Sequence, residues 1–553
     1  MAALAAAITV GTVQAKGVYK PGQVIGAGTG VTGNVTVDQI NAGAVTDKYA
    51  PTVKDGADTI TINPDGSETL TAPLNVREGK VVVTGEAGEE LVITGKQGGV
   101  VSGTAAPWLS VGGTAIDTDA DGEVEAPQMV INGVTVRGTS SSVNVGNPDG
   151  AGSLLVTNGG KLDITKNGSS SLFIGLSATP NNVGDAVGSQ NSNATTKNPG
   201  SDDRYSGTYT DTSKTTNGAK EYKFGKGEVT VKGQGSSIEA GSCIGIAEGT
   251  LNVEDHATVV AGNREVSLLG DGNGVTSVIN VKNQAELIIK NHLYTGYKYD
   301  TTNIINVENA TMTVEKEIYL GVGYNYDDND FTGNGSTTEM NLTGASTVSL
   351  DTIVVGYKDS SAVSISAQSK LVGQELNINE AGSVESSGTI DMTTLAAEGG
   401  SLVLNGNAKV NVADATFTRG QLTVTDVATF TGNVTLDGDS ILTLGLGSTI
   451  FMTGGTLDMN ASTIYVDLGD KNLADVLASK DAIFTINYIP TESDVEMGTV
   501  NVQFVNIDAE GNRVAQGETI ALANTTARII PEPTTATLSL LALAGLAMRR
   551  RRK

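Results

Sequence analysis

The chain has 553 residues, with 61 aspartates and glutamates against 35 lysines and arginines, a formal net charge of −26. So acidic a surface repels nucleic acid and anionic lipid, which excludes nucleic-acid binding, and it can hold divalent cations. Aromatics make up 4% of the residues and Cys243 is the sole cysteine, which argues against one large globular core and excludes an intrachain disulfide framework.

Residues Ala2 to Val13 are apolar and uncharged. Val13-Gln14-Ala15 then offers small residues where a signal peptidase reads, so residues 1–15 are expected to be a signal peptide cut before Lys16. A basic leading region is missing, so either the true start lies upstream or this segment is a buried strand or helix. Residues 16–158 read as an N-terminal cap and the first β-coils, from runs such as Thr59-Ile60-Thr61-Ile62 and Lys80-Val81-Val82-Val83. Within them Asp117, Asp119 and Asp121 have the D-x-D-x-D-G spacing that starts a calcium loop. The twelfth position is Gln128 rather than a bidentate glutamate, so an acidic surface turn competes with calcium. No other cofactor is expected.

Residues 159–467 carry a repeat. Leu251-Asn252-Val253 leads to Ala257, Val259 and Ala261; Ile279-Asn280-Val281 leads to Ala285, Leu287 and Ile289. Ile305-Asn306-Val307, Met340-Asn341-Leu342 and Val363-Ser364-Ile365 repeat the pattern, with Ala310, Ala345 and Ser369 as the small residue. A second marker is an apolar stretch closed by glycine, at Tyr294 to Tyr297, Ile318 to Gly321, Ile353 to Tyr357 and, earlier, Leu172 to Gly175. The intervals from Val253 through Val281, Val307 and Leu342 to Ile365 are 28, 26, 35 and 23 residues. The long one holds the polar loop Asn325 to Asp330, and a polar stretch at 188–220 reads as an insertion. A period of roughly 20 to 30 residues, built on alternation of two, is that of a β-solenoid. The fold expected is all-β, a right-handed parallel β-helix on the order of 100 Å long, with the small residue at a corner and glycine turning at positive φ. Antiparallel β-sandwiches are the runner-up.

Gly160-Lys161-Leu162-Asp163-Ile164, Gly227 to Val231 and Gly249 to Val253 have the form Gly-x-Leu-x-Val. They resemble repeats in the passenger region of autotransporter-type surface proteins, although the alternating strands of a C-terminal membrane barrel are absent. Cys243 and the two histidines, His256 and His292, are expected to be buried and turn or surface residues, respectively. No nucleophile elbow, zinc motif or phosphate loop is present, and Asp202-Asp203 and Asp327-Asp328 read as loop residues.

Residues 468–530 read as a strand-rich module that opens with a helix candidate at Lys471 to Asp481, and they are expected to cover the end of the coil stack. The tail, 531–553, has three parts. Pro531-Glu532-Pro533 stays extended. Ala536 to Met548 is an uncharged apolar run of roughly 20 Å as a helix, short for a bilayer of roughly 30 Å. Arg549, Arg550, Arg551, Arg552 and Lys553 would stay on the cytoplasmic side of a short C-terminal transmembrane helix. This order resembles the PEP-CTERM sorting signal of Gram-negative bacteria. The resemblance implies export, a transient inner-membrane intermediate, cleavage near the motif by an exosortase, and release to the cell surface or beyond. The expectation is therefore a non-catalytic surface or extracellular-matrix protein, with the export machinery and extracellular polysaccharide or host and matrix glycans as partners. A surface-displayed carbohydrate-active β-helix enzyme is the alternative, and it requires acidic and basic groups converging on one groove.

Overall fold

A computed structural model describes most of residues 60–175, 226–488 and 500–522, with short strands at 24–25, 34–35, 52–53 and 528–531. The protein is nearly all-β with long parallel ladders, a solenoid-like stacking that excludes the antiparallel sandwich reading. It divides into two units, Met1–Val266 and Ser267–Lys553.

In the first unit each coil contributes three strands. On the first face Lys80–Thr84, Gln128–Asn132, Gly152–Thr157, Gly227–Lys232 and Gly249–Glu254 pair in parallel register. Val83, Ile131, Val156, Val231 and Val253 thus stack in one file, all fully buried. The second face carries the file Leu91, Val136, Leu162, Ile238 and Val259, and the third includes Leu109, Val143, Leu172 and Ile244. Period-two alternation is what allows this: every second side chain points inward, so one coil's apolar row finds its cover only in the coils beside it. The Gly-x-Leu-x-Val matches fall on different faces. Gly227 and Gly249 start the first face in register, whereas Gly160 is a corner residue ahead of the second.

The second unit follows the same plan. Val281 pairs with Val307, Val307 with Leu342, and Leu342 with Ile365, so the residues that mark the repeat do lie above one another. The corner after this face is filled by Ala285, Ala310, Ser346 and Ser369, each linked to the next coil by a backbone hydrogen bond. Ala345, expected there, is exposed; the buried residue is Ser346, whose Oγ donates to Val307 O at 2.8 Å and Thr343 O at 2.6 Å. A serine satisfies corner carbonyls that alanine leaves to the backbone alone, which is why the turn selects it one position later. The asparagines at the centre of the triplets point outward and form their own ladder: Asn306 Nδ2 donates to Asn280 Oδ1 at 2.9 Å, and Asn341 Nδ2 to Asn306 Oδ1 at 3.1 Å. Side-chain amides both donate and accept, so identical residues at one register continue the backbone ladder sideways.

The start of the first face differs between the units. The first unit has Gly152, Gly227 and Gly249 there, and a side chain on any of them would overlap a carbonyl of another coil. The second has a buried polar row, Ser277, Asn303, Thr338 and Ser361. Its members are bonded inside: Ser277 Oγ accepts from Gly270 N at 2.9 Å, Asn303 Nδ2 donates to Thr301 Oγ1 at 2.9 Å, and Thr338 and Thr295 hydroxyls meet at 2.8 Å.

Late in the chain Leu422-Thr423-Val424 and Ile441 to Leu444 belong to the first face, while Val434-Thr435-Leu436 and Leu457 belong to the third. Their closer spacing therefore reflects two faces of each coil. The helix is short, Leu473–Ala478, capped by Asn472 whose Oδ1 accepts from Ala474 N at 2.8 Å. None of its residues is buried, so its apolar face covers no core. Val500–Ile507 then pairs in parallel with Ile464–Asp467 and is bordered by two antiparallel strands, Arg513–Ala515 and Ile520–Leu522. Arg513 reaches across the first face to Thr443 Oγ1 at 3.2 Å and Gln421 Oε1 at 2.9 Å. The last strand, Arg528–Pro531, pairs with Thr485–Tyr488.

Among the described residues no helix is long and apolar enough to cross a membrane. Residues 1–15, the insertion 188–220, Glu532, Pro533 and the whole run from Ala536 through Arg549, Arg550, Arg551, Arg552 and Lys553 lie outside them.

Candidate functional site

The residues worth a chemical reading gather on the third face of the second unit. Three consecutive rungs here are Leu293–Thr295 and the later halves of the long strands Thr311–Leu320 and Thr347–Val355. Leu293, Ile318 and Ile353 point into the core and are fully buried. Alternation therefore turns Tyr294 and Tyr319 outward, at adjacent register positions. Their rings meet edge to face, 5.0 Å between centroids at 79°. On the next coil the strand ends at Gly356, whose φ of 71° reverses the chain. Tyr357 follows and sets its ring 5.3 Å from that of Tyr319 at 89°. Three tyrosines thus make one stepped row, each pair in the tilted geometry that aromatic quadrupoles favour. Lys358 Nζ lies 5.5 Å from the Tyr357 ring centre, within cation–π range.

His292 and Glu317 border the row. They are one coil apart, and His292 Nδ1 lies 2.9 Å from Glu317 Oε2. The imidazole is also 5.9 Å from the Tyr294 ring. Burial lowers the His292 pKa; the Glu317 carboxylate opposes the shift and Lys316 adds to it. Since an unfolded histidine titrates near 6.5, the folded state carries the neutral ring at pH 7, and protonation is disfavoured as pH falls through and below that value. Burial first, and the Glu317 charge second, push both Tyr294 and Tyr319 up to about 12. Two protonated phenols, a neutral imidazole and a carboxylate therefore surround exposed edges of apolar rings. Such a surface offers hydrogen-bond donors and acceptors at fixed positions. Its phenols are poor general bases at neutral pH.

The sequence pointed elsewhere for chemistry. His256 sits in a turn in the left-handed region, at φ 66°, exposed. Cys243 is 1% exposed, with its Sγ 3.5 Å from Ser171 Oγ. Asp117, Asp119 and Asp121, with the rest of the calcium-like turn, lie outside the described residues, as do Asp202-Asp203 and Asp327-Asp328. Among the described residues no three His, Cys, Asp or Glu side chains gather where they could hold a metal. The sequence reading did not bring His292 and Glu317 together. Their separation equals one repeat, and that spacing was the available signal.

No family model, no curated protein and no solved structure matches this chain.

Proposed function

We propose that the protein is an exported, non-catalytic protein of the cell surface or extracellular matrix, adhesin-like or structural, sorted through its tail. The observation that carries this reading is the order of residues 531–553: Pro531-Glu532-Pro533, an uncharged apolar run, then five cations. The tail passes through the inner membrane with Arg549 to Lys553 inside, and an exosortase cuts near the motif. The last strand ends at Pro531, so the first residue of the motif closes extended backbone that pairs with Tyr488 in a parallel ladder. Connections between parallel strands of one sheet are right-handed in about 98% of cases, and on that general rule we read the coil as a right-handed β-helix.

The carbohydrate-active enzyme remains the second reading because His292 and Glu317 do converge. The phenols beside them, held near 12, are themselves poor bases at neutral pH, so on this reading any proton abstraction falls to the His292 and Glu317 pair. The test of the first reading is mass mapping of the C-terminus in a host with exosortase and in one lacking it. The expected result is a chain ending near Pro533 in the first and retaining the basic tail in the second. Residues beyond Pro533 in both hosts would overturn it.

A further inference from the structure

We propose that the last strand, Arg528–Pro531, is an autoinhibitory contact that withholds the sorting motif, and that the tail is cut only after this strand leaves its ladder, a regulation that rests on the sorting reading. Arg528 pairs with Thr485, Ile529 with Ile486, Ile530 with Asn487 and Pro531 with Tyr488. Pro531 therefore belongs to the motif and to the fold at once. A protease takes its substrate as an extended chain, with backbone groups bonded to the enzyme and alternate side chains in its pockets. A strand built into a sheet cannot thread such a cleft, because its backbone is already bonded on one side and the coil stands in the way. Reading Pro531 together with Glu532 and Pro533 requires the strand to peel away first.

The strand is placed to open alone. Its partner, Thr485–Tyr488, is an interior rung: Thr449–Met452 pairs with its other side, and Phe484 and Ile486 are buried. Arg528–Pro531 is held on one side only, and among the described residues no strand pairs with the other. The antiparallel strands Arg513–Ala515 and Ile520–Leu522 border the first face instead. Pro531 ends the strand with a residue that has no N–H to donate. A terminal segment with few neighbours opens at lower cost than the core beneath it. When opening and closing are fast, proteolysis follows the fraction of molecules that are open. The contact thus times release: a chain whose last rung has not formed is cut quickly, and a completed coil stays tethered longer.

The experiment locks the strand in place. Asn487 and Ile530 are register partners, on neighbouring strands within the span of a disulfide. The full-length chain carrying Cys243→Ala, Asn487→Cys and Ile530→Cys is made in a host lacking exosortase. One sample is treated with an added disulfide oxidant, which takes two hydrogen atoms from the thiols, and the other is reduced. Both are cleared of reagent and mixed with membranes from a host that has exosortase, and mass mapping of the C-terminus follows the cut over time. The oxidised chain is expected to be cut at least about tenfold more slowly than the same chain reduced. Ile529→Gly leaves the motif intact and loosens the strand, so it should be cut faster than wild type, and it decides the matter if the reduced pair is itself cut poorly. Equal rates for the oxidised and reduced forms, or for Ile529→Gly and wild type, overturn the proposal. Failure of the pair to lose two hydrogen atoms on oxidation overturns the contact itself. Membranes that leave even the wild type uncut overturn the sorting reading, and this regulation with it, so the two failures are told apart.

Discussion

Replacing Leu342 by aspartate is expected to abolish the cooperative unfolding of the second unit. Leu342 is fully buried, stacked between Val307 and Ile365 on the first face. Leu342→Ala should cost about 2–5 kcal/mol through lost contacts and the cavity left behind. Aspartate does worse, because a carboxylate would enter an interior file of aliphatic side chains with no partner. In a stacked architecture each coil is held by its two neighbours, so the fault spreads to the rungs on either side. Circular dichroism melts should show a lower, steep transition for Leu342→Ala and a broad, non-cooperative one for Leu342→Asp. Glu339→Gln, three residues earlier on the exposed side of the same strand, should change stability by less than about 0.5 kcal/mol. Equal effects at both positions would mean the alternation does not set the core.

The second large effect is expected at the turn that closes the third face. Gly356 has φ 71°, and a methyl there would overlap Gly382 N and the carbonyl carbon of Ala381 on the next coil. Positive φ alone costs a non-glycine residue about 1–3 kcal/mol. Here the clash is with backbone, which cannot rotate away, so Gly356→Ala should exceed that range. Gly296, at the equivalent turn, has φ 69° but its nearest neighbour would be Ser336 Cβ at 3.2 Å. Gly296→Ala should therefore show only the strain of the left-handed conformation. Denaturant midpoints of the two variants measure the difference. If both variants lose the same stability, coil-to-coil contact at Gly356 is not the cause.

These two positions also show what the sequence could reveal. Leu342 and its partners were legible because inward residues alternate strictly and recur at each coil, so the period predicts the stacking file. Gly356, Gly321 and Gly296 were legible as turns because an apolar stretch ended at each. Ala345 was misplaced because two small residues adjoin, and only the hydrogen bonds of the Ser346 hydroxyl choose between them. The tyrosine row was hidden within the second marker, where Tyr294, Tyr319 and Tyr357 were counted as part of apolar stretches. Which of them face outward depends on the strand register, and how they meet depends on the turn at Gly356. The short helix at Leu473–Ala478 was legible from the helical spacing of its apolar residues; that none of them is buried was not, because burial depends on what packs against the helix.

The central claim is that coils lie one above another in parallel, residue-on-residue register. Thr313 and Ser349 are register partners on the outer side of the second face, whereas Thr347 pairs with Thr311. Neighbouring strands stand about 4.8 Å apart, inside the separation a disulfide spans, while a shift of two residues along the strand carries the pair beyond it. In a Cys243→Ala background, treatment of Thr313→Cys with Ser349→Cys with an added disulfide oxidant should therefore give an intramolecular disulfide, seen as a loss of two hydrogen atoms in the intact mass. The pair Thr313→Cys with Thr347→Cys should stay reduced. Cross-linking of the second pair and not the first would contradict the register, and with it the stacked coil.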